Sequence, residues 1–238
     1  MAVRGEWGLG ERPIRNMVHL LEAHGVRVFS LVEECAAIDA FSFWRGDLPY
    51  VCLNTIKSAE RSRMDTAHEL GHLVLHWKGG AQERKDEREA DLFGSAFLMP
   101  RGSVLARAPR GGRLEDIVKV KRHRGVSAAN LTHRMHVLGL LTEWQYRSLF
   151  VELTKQGYRS GEPDGMQAET SQVYAKVFKA LSDEGTSKGQ VAKDLTIRPD
   201  ELSRAVFGLV LMPLNGENAS ARDGANEYPQ SPPQLRLL

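Results

Sequence analysis

The sequence predicts an α+β protein: a small twisted sheet of about three strands packed on one long helix, followed by helical, helix-turn-helix-like segments. Three observations predict it. Short apolar runs with strand character cluster between residues 26 and 53. One long helical pattern follows at 58–77. Beyond Pro100 the apolar residues recur at helical spacing.

Each element has its own signals. Ile14, Met17, Val18 and Leu21 fall on one helical face and Gly25 supplies a stop, which predicts a first helix over 11–25. Strands are predicted at 26–29, 38–44 and 50–53. The last two are joined by Arg45-Gly46-Asp47-Leu48-Pro49, a hairpin loop. Ser58 is a good N-cap for the helix at 58–77, and Gly79-Gly80 ends it. A second helix spans 82–98 and is closed by Pro100. Helices are then expected at 114–122, 127–138 and 144–156. The stretch 157–168, rich in Gly, Pro and charge, reads as a linker. Helical patterns at 170–181 and 190–211 form a last group. Residues 213–238 hold few large apolar side chains and are expected to be mobile. The organisation predicted is a core at 1–112, a basic helical extension at 113–165, a C-terminal helical segment at 166–212 and a tail at 213–238.

Composition bounds the function. Over 238 residues, 42% hydrophobic and 26% charged residues describe an ordinary globular chain rather than a disordered one. No run approaches the roughly 20 apolar residues of a membrane span. The first residues lack the apolar core of a secretory signal, and two cysteines, Cys35 and Cys52, cannot build a disulfide scaffold. The expectation is a cytoplasmic protein with no membrane partner. The net charge of +2 conceals a local asymmetry. Residues 101–136 carry nine Lys/Arg against two Asp/Glu, a net of +7.

The residues that carry chemistry are His68-Glu69-Leu70-Gly71-His72. Four residues make little more than one helical turn, so His68 and His72 share a face and can hold one Zn²⁺. Glu69 lies one step around the helix, beside the metal, where it can take a proton from water acidified by zinc. Random placement would give this pattern in roughly one chain in fifty of this composition. The plainer reading is a solvated histidine pair. Ala67, Leu70, Leu73, Val74 and Leu75 surround the motif and argue that the helix is buried.

A catalytic zinc takes a third protein ligand. His76 is about 12 Å along a straight helix from His68, too far to share an ion with it, and reads as a structural or supporting residue. Helix 82–98 offers Glu89, which shares an apolar face with Phe93 and Ala96. Its competing role is a buried ion pair with Arg61 or Arg63. Glu83, Asp86 and Glu87 read as solvated charges balanced by Arg84, Lys85 and Arg88, and Asp91 as a group that orients a histidine.

The segment from Arg61 to His76 (RSRMDTAHELGHLVLH), followed by EADLFGSAFLMP at 89–100, resembles the ImmA/IrrE family of metallopeptidases. Residues 38–54 and 114–141 also resemble that family, so the likeness covers roughly 5–165. It implies a zincin-like peptidase core. It assigns His68, His72 and Glu89 as metal ligands, Glu69 as general base and Zn²⁺ as cofactor. It implies a substrate class too: a helix-turn-helix (XRE-type) repressor, cut to relieve repression in a stress, mobile-element or toxin–antitoxin-like circuit. Gly94 stands where the family usually has Ala. The group that would stabilise the oxyanion is left open among Tyr50, His76, Tyr146 and several arginines.

Two stretches have helix-turn-helix spacing. Residues 114–138 cluster Lys119, Lys121, Arg122 and Arg124 at a turn, which suits phosphate contact or, more simply, a helical subdomain with solvated charges. Residues 189–208 mix Lys193, Arg198 and Arg204 with Asp194, Asp200 and Glu201. They motivate the alternative function, a DNA- or partner-binding regulator or toxin–antitoxin component whose metal domain is not primarily proteolytic.

Overall fold

The computed structural model describes residues 2–31, 38–77, 84–109, 111–158 and 161–207. The helix expected over 11–25 is shorter. The Asn16 side chain accepts the His19 N–H (2.9 Å) and starts the helix at Met17. Two helices therefore open the chain, α1 (Ala2–Glu6) and α2 (Met17–Ala23).

Three strands follow: β1 (Arg27–Ser30), β2 (Ala40–Arg45) and β3 (Leu48–Leu53). β3 is central. It pairs in parallel with β1, Val28 opposite Val51, and antiparallel with β2, Ser42 opposite Val51. Among the described residues β2 is thus an edge strand. The tight β2–β3 turn holds Gly46 at φ 60°, which a side chain would strain. Side chains alternate along each strand. Val28, Val51 and Leu53 point into the core, while Phe41, Phe43 and Tyr50 stack on the opposite face.

The long helix α3 (Ala59–Leu75) lies under the inner face of the sheet. Ser58 caps it by accepting the Arg61 N–H, and it ends at His76 rather than at Gly79-Gly80, which lie outside the described residues. α4 (Arg84–Leu98) returns along α3. Pro100 closes α4 and at once caps α5 (Arg101–Arg107), a helix the periodicity did not reveal.

Beyond it come α6 (Leu114–Lys121), α7 (Ala128–Val137) and α8 (Glu143–Lys155). Their buried residues Ile117, Leu131, Met135 and Leu149 belong to the same core as Leu70 and Phe97, so no seam in the packing separates residues 113–155 from the sheet layer. α9 (Gln172–Asp183), α10 (Lys188–Asp194) and α11 (Pro199–Phe207) gather around a second, smaller core of Phe178, Ala192, Leu202 and Val206. The single run expected at 190–211 is broken by Thr196, at φ 58°, ahead of Pro199. The tail expected to be mobile lies outside the described residues. Among the described residues no helix is long and apolar enough to cross a membrane.

The expected linker is instead a docked strap. Glu162 accepts the Ala128 N–H at the start of α7 (2.9 Å) and pairs with Lys121 (2.9 Å). Glu60 accepts the Met166 N–H (2.9 Å) and meets Lys121 from the other side (3.5 Å). Just beyond, Glu169 accepts the Met17 N–H and pairs with Arg63, which also donates to the Ile14 carbonyl. Lys121 is only 1% exposed. Its removal leaves two buried carboxylates facing each other without a cation, which costs about 3–5 kcal/mol. Lys121→Met is therefore expected to lower the urea midpoint by that much stability at an unchanged m value.

Part of the local positive charge is turned inward. Lys121, Arg124 and Arg134 are buried. Arg124 donates to Ser103 (2.6 Å) and Arg134 to the Met99 carbonyl (3.0 Å). Arg113 and Lys119 meet Asp116, and Arg122 meets Asp164. Buried cations with carbonyl and carboxylate partners do not reach a phosphate backbone.

Candidate metal centre

The site is built on the α3–α4 contact. These helices approach closely because glycine lines both sides. A Cβ on Gly94 would stand 3.0 Å from the backbone nitrogen of His68, and one on Gly71 would stand 3.1 Å from the Cα of Ala90. Gly94 lets α4 settle against the turn of α3 that carries the first histidine.

The histidines converge. His68 Nε2 lies 3.0 Å from His72 Nε2. A carboxylate from α4 joins them, and it belongs to Glu87. Its oxygens lie 3.3 Å from His68 Nε2 and 3.5 Å from His72 Nε2. Tetrahedral zinc with bonds of about 2.0–2.1 Å sets its ligand atoms about 3.4 Å apart. Each spacing is close to that edge length, with a different Glu87 oxygen nearest each histidine, and two imidazoles with one carboxylate are a zinc donor set. The residues present fit the metal that the sequence implies.

Asp91, one turn beyond Glu87, accepts from His68 Nδ1 (2.8 Å). That bond places the proton on Nδ1 and leaves the Nε2 lone pair for a metal. Burial alone would depress the imidazole's pKa, but the Asp91 bond and the nearby carboxylates of Asp91, Glu69 and Glu87 outweigh it, so His68 is held above its ordinary value. His72 moves the other way, lowered by burial and by His68.

Glu89 is not brought to the pair His68/His72. Its carboxylate lies 3.3 Å from His76 Nε2, with Asp86 at 3.7 Å from the same nitrogen. Arg61 and Arg63, its alternative partners, are engaged by Asp39 and Glu169. The apolar stripe pointed to Glu89 because Phe93 and Phe97 stack on each other beneath α4. The row that faces the histidines is set instead by the close contacts of Ala90 and Gly94, and one turn before each stand Glu87 and Asp91. A usable signal was present: carboxylates four apart on one helix, Glu87 and Asp91, match histidines four apart on an antiparallel neighbour.

Glu69 is 5% exposed and points to the sheet, where the Ser42 hydroxyl donates to its Oε2 (2.6 Å). Burial pushes its carboxyl above the usual range, opposed by the Ser42 bond and His68. A base working near neutrality benefits from that direction. The same surroundings raise the Cys52 thiol to about 11, by burial and by Glu69. Ser42 carried no signal in the sequence, since only the β2 register shows that it faces α3. Tyr50 stacks on Phe43 on the far face of the sheet, and Tyr146 stacks on His136 (4.2 Å), so neither stands at Glu69.

Among protein-family models, residues 21–136 match Peptidase_M78, the IrrE N-terminal-like domain. A search of the curated proteins returns no match.

Proposed function

We propose that the chain, whose residues 21–136 match the IrrE N-terminal-like peptidase domain, is a zinc-dependent endopeptidase of the ImmA/IrrE kind that cuts a helix-turn-helix (XRE-type) repressor. The observation that carries the chemistry is the convergence of His68, His72 and Glu87, whose ligand atoms all lie within 4.8 Å of one another. These three residues would hold the ion, with Asp91 orienting His68. Zinc, when bound, supplies Lewis acidity toward water and the scissile carbonyl.

The rest of the work falls to the chain. Ser42 holds one oxygen of Glu69. The carboxylate takes a proton from the attacking water and returns it to the leaving amine nitrogen. β2, at the edge of the sheet and above α3, offers an extended substrate backbone a strand to pair with. Trp44 on that strand donates its indole N–H to the Leu73 carbonyl (3.3 Å), yet stays 42% exposed. Val74 and Trp77 are also exposed at that end of α3. This rim suits a substrate with large apolar side chains near the cut.

The repressor as substrate rests on the family. Its cleavage would lift repression in a stress, mobile-element or toxin–antitoxin-like circuit. The alternative, direct DNA binding, is disfavoured by charge. The second helix of the 189–208 pair opens with Asp200 and Glu201, where a reading helix would meet phosphates. The test is incubation of the zinc-loaded chain with helix-turn-helix (XRE-type) repressors from the same genome, starting with any encoded beside its gene. Mass spectrometry should find one internal cut that a chelator prevents. An intact repressor, together with salt-dependent duplex binding by the chain, would favour the regulator.

A further inference from the structure

His76, Asp86 and Glu89 form a second group of possible ligands next to the first. The hydrogen bonds decide what it can do. His72 Nδ1 and His76 Nδ1 are 3.1 Å apart, and His76 Nε2 is 3.3 Å from Glu89 Oε2. With His72 Nε2 on a metal, the His72 proton must sit on Nδ1 and be donated to His76 Nδ1. A neutral His76 that accepts there carries its own proton on Nε2. That nitrogen then donates to Glu89 and has no lone pair for a second ion.

We propose that His76 and Glu89 are positioning residues: a two-step relay that fixes the tautomer and ring orientation of His72 and so tightens the metal site. The inference rests on the ligand reading of His68, His72 and Glu87. It gives the two metal-facing histidines separate supports from α4, Asp91 for His68 and Glu89 through His76 for His72. Lys85 lies 3.6 Å from the other Glu89 oxygen and so does not compete for the His76 proton.

The experiment measures zinc affinity and stoichiometry by competition with a chromophoric chelator on the full chain. Circular dichroism confirms that each variant folds. His76→Leu removes the acceptor and is expected to weaken zinc binding about 10–100-fold, the range for such supporting groups. His76→Asn returns a carbonyl oxygen near the Nδ1 position and should recover most of that loss. Glu89→Leu should weaken binding by about 10-fold, while Glu89→Gln, which still accepts a proton donor, should stay close to wild type. Because Glu89→Leu and Glu89→Gln differ only at a half-buried position, that pair decides the matter even if His76→Leu fails to fold. Equal affinity across the Glu89 pair overturns the relay while the zinc site stands. Two zinc ions per wild-type chain, one lost in Glu89→Leu, also overturns it in favour of a second metal site. A wild-type chain that binds no zinc overturns the ligand reading itself.

Discussion

Glu69→Gln is expected to keep zinc and to slow repressor cleavage by about 10²–10⁴-fold, the usual contribution of a positioned base. The amide has nearly the shape of the carboxylate and can still accept the Ser42 hydroxyl, so α3 and the sheet stay in register. What it loses is the ability to take a proton from water. His72→Ala removes a ligand and should lose both metal and cleavage. The comparison separates base from ligand: zinc content is read by elemental analysis and cleavage by the rate of product formation on the same samples. Normal cleavage by the Gln variant would remove Glu69 from the mechanism. Ser42→Ala is a milder companion. It frees the Glu69 oxygen that the hydroxyl holds and should reduce the rate without changing zinc content.

Glu87→Ala is expected to weaken zinc binding more than about 100-fold, beyond the range for a supporting group, because one of three protein donors is lost. Glu89→Ala should fall well short of that. Both side chains are about half exposed, 46% and 43%, so burial does not distinguish them and only aim does. The two variants are matched in charge and position on α4, which makes stability a poor explanation for a difference between them. A reversed order, with Glu89→Ala losing the metal and Glu87→Ala retaining it, would return the third ligand to the residue the sequence pattern selected.

The histidine pair was legible in the sequence because its geometry is local: four residues on one helix fix a distance whatever surrounds them. The three strands and most helices were legible for the same reason, through periodicity and caps such as Ser58 and Ser127. The partner across the helix–helix contact was not local. Which side of α4 faces α3 is set by Gly71 against Ala90 and Gly94 against His68, a fit of backbones that an apolar count overlooks. Glu89 was favoured by proximity to Phe93, while Glu87 and Asp91 looked like surface charge. The docking of Glu162 and Met166 within the stretch read as a linker was not legible either, since Glu162 looks solvated until Lys121 is known to be buried beside it. The basic stretch reads more simply as a helical subdomain with solvated charges, yet a sum of charges does not show that Lys121, Arg124 and Arg134 point inward.

The central claim is that one ion sits between His68, His72 and Glu87. Anomalous diffraction at the zinc edge from a zinc-loaded crystal tests it most directly. The prediction is a single strong peak bonded to His68 Nε2, His72 Nε2 and a Glu87 oxygen at about 2.0–2.2 Å. A peak bonded to Glu89, or one at His76 and Asp86 with the His68–His72 pair empty, would contradict it.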